Sequence, residues 1–223
     1  ISLVDESKAL IADSTNAVSS NVVSHTNAIG YISLGSYDST QVHAINVGGV
    51  ECTEENIVAG TYPIARPFLL VQGPATDDLA KAFVDYILSA DGQKVVEDNG
   101  YISQENTGDF TTSGAEGSIV IAGSSSVTPV MEKLTDAYLA VNDKAKIDIQ
   151  ESDSTTGMTN TLDGVCDIGM ASRELTQEEL DAGLLSTVIA TDGIAIIVKY
   201  DSPHDVPTSH YDQNITTCLH HNC

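Results

Sequence analysis

Short apolar runs alternate with amphipathic stretches in the second half of the chain. Residues 118–122 are almost entirely apolar, and the next segment places Val130, Leu134, Tyr138 and Val141 at helical spacing. A short apolar run followed by an amphipathic helix is typical of a strand–helix repeat. Residues 146–150 alternate like a half-buried strand, and apolar runs predict strands at 165–170, 188–190 and 193–198. Residues 176–179 form a capping box that predicts the start of another helix. The pattern therefore predicts an α/β fold with a mixed, mostly parallel sheet flanked by helices.

The first half of the chain predicts elements of the same kinds. Strands are expected at 28–34, 41–47 and 68–72. Thr76 is expected to cap a helix that buries Leu79, Phe83 and Ile87 and is interrupted at Asp91–Gly92. Residues 103–117 are polar and rich in Gly, Ser and Thr, which is typical of a linker.

The first of three polar turns in the second half carries Ser125 and Ser126. Pro129 follows in the first turn of the predicted helix, where its missing N–H costs nothing. Free backbone N–H groups and the positive end of the helix dipole point into such a turn, so it is suited to hold an anion. The alternative is an ordinary serine cap without a ligand.

The second and third turns follow neighbouring predicted strands. Residues 151–158 form the second turn, and residues 171–174 form the third, which contains Arg173. Open α/β sheets bind ligands at the carboxyl ends of their strands, and an arginine fork suits a tetrahedral oxyanion. We therefore predict an anion site at this edge. The alternative is that Arg173 is a solvated ion-pair partner of Glu174 or Glu178.

The charge of the chain excludes several classes of partner. Its 223 residues include nine Lys and Arg against 32 Asp and Glu, for a net charge of −23. Such a charge opposes binding to nucleic acid and to anionic membranes. No run approaches the length of apolar sequence that spans a bilayer. Oriented N–H groups and Arg173 must therefore attract an anion strongly enough at short range to overcome the repulsion from the net charge.

No metal site, cofactor or catalytic centre is predicted. The four cysteines show no disulfide framework, and those of the 200–223 tail, with its histidines, match no usual zinc spacing. A serine hydrolase with Ser125 as nucleophile is an alternative, but Val127 stands where a nucleophile elbow needs its second glycine. A structural or interaction domain that retains the fold without a ligand is the other alternative.

Several blocks of sequence resemble one protein family. GSIVIAGSSSVTPVMEKLTDAY, DIGMASREL and DGIAIIV resemble the amino-terminal half of the phosphate-binding proteins of bacterial ABC transporters. AIGYISLG, ENIVAGTYPIARPFLLV and KAFVDYILSADGQKVVEDNGYI resemble the carboxy-terminal half of the same proteins. The halves stand here in swapped order, and the stretch that the family places between them is absent, including a Gly-Ser-Gly-Thr-Arg type motif that binds phosphate.

The resemblance implies a periplasmic binding protein-like lobe whose second lobe is largely absent. The implied division is 1–38 as a remnant of the second lobe, 39–102 and 118–199 as the two parts of the first lobe, 103–117 as the linker and 200–223 as an irregular tail. The swapped order fits either a circular permutant or a fragment that spans the junction of two tandem domains.

The resemblance also implies a function and a set of ligands. It implies a protein outside the cytoplasm that binds inorganic phosphate and delivers it to an ABC transporter permease, with no enzymatic activity. A second copy, or the missing lobe, would complete the cleft. Family alignment carries the phosphate site onto residues of all three turns: Ser125, Ser126, Thr155, Thr156, Gly157, Ser172 and Arg173.

Overall fold

The computed structural model describes residues 9–74 and 77–200. Its elements in chain order are α1 (Thr15–Ser24), β1 (Ile29–Ser33), a 3₁₀ turn (Leu34–Ser36), β2 (Val42–Ala44), α2 (Glu54–Val58), β3 (Ala65–Gln72), α3 (Asp78–Leu88), α4 (Ala90–Asp98), β4 (Gly117–Ser124), α5 (Thr128–Val141), β5 (Ala145–Ser152), α6 (Ser154–Leu162), β6 (Ile168–Ala171), α7 (Gln177–Asp181) and β7 (Leu185–Lys199).

These elements form two compact units. The described part of the smaller unit is 9–65 with 193–200, and the larger unit is 66–192. This division differs from the segments predicted from the sequence, because residues 39–65 fall in the smaller unit together with residues 9–38. The assignment of the predicted segments to lobes stays a prediction.

The larger unit contains a mixed sheet in the order β7-β3-β6-β4-β5. Strand β4 pairs in parallel with β5 on one side and with β6 on the other. Strand β3 pairs with β6 in the antiparallel direction, with Leu69 opposite Ala171. Strand β3, from the first half of the chain, thus shares one sheet with β4, β5 and β6 from the second half. This confirms the predicted α/β architecture.

Both faces of this sheet are covered. Residues 68–71 are fully buried, as expected for a central strand with helices on both sides. Phe68 and Leu70 pack into a core with Phe83 of α3 and residues of α4 and α5, whereas Leu69 and Val71 pack with Met158 of α6. The alternation of side chains along β3 thus places two cores on opposite faces.

The helices after β3 begin and break at other residues than those predicted. The N-cap of α3 is Asp77, whose carboxylate accepts from the Ala80 N–H at 2.7 Å, and Thr76 lies outside the described residues. The break between α3 and α4 lies at Ser89, not at Asp91–Gly92. A Cβ on Gly92 would clash with the Tyr86 carbonyl oxygen, so glycine is required where α4 starts against the end of α3.

The segment predicted as a linker is packed within the larger unit. The Phe110 ring lies edge-on to Tyr86, with ring centroids 5.0 Å apart. The Thr107 N–H donates to Leu88 O at 2.9 Å, and the Ala90 N–H donates to Gly108 O at 2.8 Å. Before β4 begins at Gly117, this segment is therefore held by hydrogen bonds and by an aromatic contact, although it has no regular secondary structure.

The smaller unit is built around the last residues of β7. Strand β1 pairs with β7 in the antiparallel direction from Ile29 opposite Val198 to Ser33 opposite Ile194, and β2 pairs with residues 197–199. Helix α1 packs closely on β1, since a Cβ on Gly30 would lie 2.7 Å from a methyl group of Val22. No helix in the part of the chain that the structure describes is long and apolar enough to cross a membrane.

Candidate anion-binding site

Three polar turns meet at the carboxyl ends of β4, β5 and β6, as predicted. The Ser124 hydroxyl donates to the Ser172 hydroxyl oxygen at 3.0 Å, which joins the first turn to the third. The Ser125 N–H donates to Ser152 O at 3.0 Å, and the Ser172 N–H donates to Ser154 Oγ at 3.1 Å. The parallel pairing of β4 with both neighbours brings these turns to one edge.

The first turn uses its own donors to hold itself in place. Helix α5 begins at Thr128 with Pro129 in its first turn, as predicted. The Ser125 N–H is taken by Ser152 O, and the Ser126 N–H donates to Ser124 Oγ at 3.3 Å. The two backbone donors predicted to face an anion are therefore engaged within the protein.

A carboxylate already occupies the N-terminus of α6 at the second turn. Asp153 Oδ1 accepts from the Thr155 and Thr156 N–H groups at 2.8 and 3.0 Å, and Oδ2 accepts from the Thr156 hydroxyl at 2.6 Å. The hydroxyl and N–H of Thr156 are the main reason that the pKa of Asp153 lies below its ordinary value. The Asp153 carboxylate thus fills the position that an external anion would need.

Gly157 lies where α6 approaches the sheet most closely. A Cβ on Gly157 would lie 2.8 Å from the Gly123 Cα and 2.9 Å from the Ala122 carbonyl oxygen. Its N–H makes an ordinary helical hydrogen bond to Asp153 O at 3.0 Å. The contacts of Gly157 are therefore those of a packing residue.

The third turn contains an arginine whose fork is occupied. Arg173 Nη1 and Nη2 donate to Glu179 Oε2 and Oε1 at 2.9 and 2.8 Å, a bidentate pair. Arg173 also donates to Glu174 O at 2.9 Å and to Thr155 Oγ1 at 3.3 Å. The ion-pair partner is Glu179, not the Glu174 or Glu178 carboxylate considered from the sequence.

Glu179 serves two purposes at once. Its carboxylate closes the predicted capping box of α7 by accepting from the Thr176 N–H at 2.8 Å, while it also pairs with Arg173. The hydrogen bond from Arg173 is the main reason that the pKa of Glu179 falls to about 2, and the same pair raises the pKa of Arg173. Both groups therefore remain charged at neutral pH.

Arg66 also belongs to this edge, although it is not among the site residues predicted from the sequence. Its Nε donates to Asp192 Oδ2 at 3.1 Å, and its Nη1 donates to Ser172 Oγ at 3.3 Å. Asp192 is 1% exposed. The sequence held one signal for this pair: Asp192 directly precedes the apolar run 193–198. A carboxylate buried in such a strand needs a charged or hydrogen-bonding partner.

The arrangement presents hydrogen-bond donors that suit an anion. Two serine hydroxyls and an arginine converge at the strand ends, and these are donors that a tetrahedral oxyanion accepts. Within residues 9–74 and 77–200, no group of three His, Cys, Asp or Glu side chains could hold a metal ion. Cys52 and Cys166 are buried, and burial raises the pKa of Cys166. The cysteines and histidines beyond Tyr200 lie outside the described residues.

Comparison with known proteins identifies relatives of this chain. A family model described as a PBP superfamily domain matches residues 3–91 and 109–212. Phosphate-binding protein PstS 2 of Streptococcus agalactiae serotype V is 48% identical over 202 residues, which is 90% of this chain and 69% of that protein. Phosphate-binding protein PstS 2 of Streptococcus pneumoniae serotype 4 is 40% identical over 195 residues, which is 87% of this chain and 66% of that protein.

A solved structure is similar as well. The crystal structure of a phosphate-binding protein of a phosphate ABC transporter from Streptococcus pneumoniae superposes with a TM-score of 0.70 and 41% identity, over 86% of this chain and 75% of that one. The chain spans about two thirds of the length of the curated relatives that it matches. Because the family model covers most of the chain and these relatives are at least 40% identical, the chain belongs to the PBP superfamily and, within it, to the PstS phosphate-binding proteins.

Proposed function

We propose that this chain binds inorganic phosphate as part of the substrate-binding component of an ABC-type phosphate uptake system. The names of its relatives from two streptococci support this proposal, as does the solved structure of a phosphate-binding protein with a TM-score of 0.70. Phosphate is the ligand, an ABC transporter permease is the membrane partner, and the protein works outside the cytoplasm. These relatives are transport proteins, and we propose no enzymatic activity.

The observation that carries the proposal is the meeting of donors at one sheet edge of a very acidic chain. The Ser124 and Ser172 hydroxyls lie 3.0 Å apart, and an arginine nitrogen lies 3.3 Å from Ser172. The chain carries a net charge of −23, so few other places on it can attract an anion. Salt screens the repulsion from charges that lie more than about 8–10 Å from the anion. Binding then depends on the donors close to the site.

The residues assigned from the family have different roles in this proposal. Ser172 is the centre of the site, since its hydroxyl lies beside both Ser124 and an arginine. Ser125, Ser126, Thr155 and Thr156 shape the turns around it through the bonds described above. Gly157 allows α6 to approach β4.

The swapped order of the blocks is proposed to be shared with the streptococcal relatives. The stretch matched to the Streptococcus agalactiae protein covers 90% of this chain and therefore contains both blocks. The remaining part of the relatives would supply the rest of the second lobe and complete the cleft. A reading frame in which a full second copy of the domain adjoins this chain would support tandem domains instead.

Calorimetric titration of the purified chain with phosphate tests the proposed function. Saturable heat with one phosphate per chain is expected, and a parallel titration with sulfate measures selectivity. The absence of binding at millimolar phosphate would favour the alternative of a structural domain without a ligand. Hydrolysis of a small ester that is lost in Ser125→Ala would favour the serine hydrolase.

A further inference from the structure

Building on the proposed phosphate-binding function, we propose that Arg66, not Arg173, is the arginine that binds the anion. Asp192 is then the positioning residue that holds Arg66. The chain contains no other arginine, so the choice lies between these two side chains. The structure distinguishes them by the donors that each has left.

Arg173 has no terminal donor left for a ligand. A guanidinium carries two N–H bonds on each terminal nitrogen. Nη1 donates to Glu174 O and Glu179 Oε2, and Nη2 donates to Glu179 Oε1 and Thr155 Oγ1. An anion at Arg173 would have to displace Glu179, which would also open the capping box of α7. Arg173 therefore acts as a clamp between the second and third turns.

Arg66 keeps donors that its ion pair does not use. Its Nε is fixed by Asp192 and its Nη1 lies at Ser172, while Nη2 has no hydrogen-bond partner among residues 9–74 and 77–200. The guanidinium carbon lies 5.7 Å from the centre of the Phe68 ring, and 17% of the side chain is exposed. Arg66 is thus held on one edge by a buried carboxylate and on one face by an aromatic ring, with solvent access remaining.

The Ser172 hydroxyl completes the pair of donors. Its oxygen accepts from Arg66 Nη1 and from the Ser124 hydroxyl. A hydroxyl has two acceptor lone pairs and one O–H donor. Because both lone pairs are used, the O–H of Ser172 is available to donate to a further acceptor. The Arg66 guanidinium and the Ser172 O–H therefore present adjacent donors to the oxygens of one tetrahedral anion.

Asp192 contributes by fixing Arg66 before the ligand arrives. The Asp192 side chain is completely buried and pairs with Nε, while Nη1 of Arg66 lies at Ser172. A side chain that is already ordered loses little conformational entropy when it binds. The pair with Asp192 uses one N–H of Arg66. The bidentate pair with Glu179 uses two N–H groups of Arg173.

The wild-type chain itself tests the assignment by arginine labelling. The protein is treated with phenylglyoxal with and without saturating phosphate, and the labelling rates of Arg66 and Arg173 are measured by mass spectrometry. Phosphate is expected to slow labelling of Arg66 severalfold and to leave the rate at Arg173 unchanged. Protection of Arg173 without protection of Arg66 would overturn the assignment.

A variant gives a second, independent readout. Arg66→Lys keeps the positive charge beside Asp192 but loses the planar fork. Its phosphate affinity is expected to fall about tenfold or more, as for the loss of a charge-assisted hydrogen bond. Lys94→Gln, which removes an exposed Lys–Asp pair on α4, is the control and should bind as the wild type does. An Arg66→Lys affinity within twofold of wild type would refute the proposal, whereas a wild type that binds no phosphate would refute the proposed function.

Discussion

Replacing Gly157 with alanine tests the close packing of α6 on the sheet. The added Cβ would lie 2.8 Å from the Gly123 Cα, 2.9 Å from Ala122 O and 3.2 Å from Met170 O. All three atoms are backbone, so none can rotate away as a side chain would. Carbon atoms in proteins pack at about 3.5–4.0 Å, and α6 would therefore have to move outward by roughly 0.5–1 Å.

The expected cost exceeds the benefit of alanine in a helix. Overpacking costs about 1–3 kcal/mol, and contact with three backbone atoms that cannot move aside places Gly157 in the upper part of that range, at about 2–3 kcal/mol. Alanine stabilises a helix interior by about 1 kcal/mol relative to glycine. We therefore expect Gly157→Ala to lower the free energy of unfolding by about 1–2 kcal/mol. In a domain of this size the melting temperature should fall by about 2–8 °C.

Thermal unfolding followed by circular dichroism measures this change. Gly73→Ala is the matched control, because its Cβ would have no neighbour closer than 3.4 Å, at Thr161 O. The control should melt within about 1–2 °C of wild type, as for a substitution that costs at most about 0.5 kcal/mol. A Gly157→Ala protein that melts at or above the wild-type temperature would show that α6 is not packed as described.

Three further outcomes are expected. Glu179 contributes stability above its ordinary pKa of 4.5 that is lost as the pH falls toward about 2, so Glu179→Gln should lose less stability than wild type in acid melts over that range. Phe110→Ala should lower the free energy of unfolding by about 1–2 kcal/mol in urea titrations, because its ring packs on Tyr86 and Tyr138. An unchanged midpoint of urea unfolding would mean that residues 103–116 are a free linker. If the second lobe is incomplete as proposed, several donors worth about 1.5–3 kcal/mol each do not contact the ligand, so calorimetry should give phosphate affinity weaker than micromolar, and sub-micromolar binding would contradict this.

Local patterns were sufficient to predict the architecture of the larger unit. The apolar run at 118–122, the helical spacing from Val130 to Val141 and the capping box at Thr176 correspond to β4, α5 and α7. Each of these signals lies within a single helix or a single strand. The convergence of the three turns followed from the rule that parallel strands place their carboxyl ends at one edge.

The chemistry of the site could be predicted only in part, because its contacts join distant residues. Arg66 and Asp192 are 126 residues apart, and no local pattern pairs them. The capping box predicts that Glu179 points back to Thr176, but not that its second oxygen meets Arg173. Phe110 shows the same limit, since a polar composition predicts a linker while one aromatic ring attaches the segment to the core.

A crystal structure of this chain grown with phosphate is the most direct test of the central claim. The account predicts one phosphate at the carboxyl ends of β4 and β6, within hydrogen-bond distance of Ser172 Oγ and the Arg66 guanidinium, with Glu179 still paired to Arg173. Phosphate bound elsewhere on the chain, or an anion that displaces Glu179 from Arg173 while Arg66 makes no contact with it, would contradict the account.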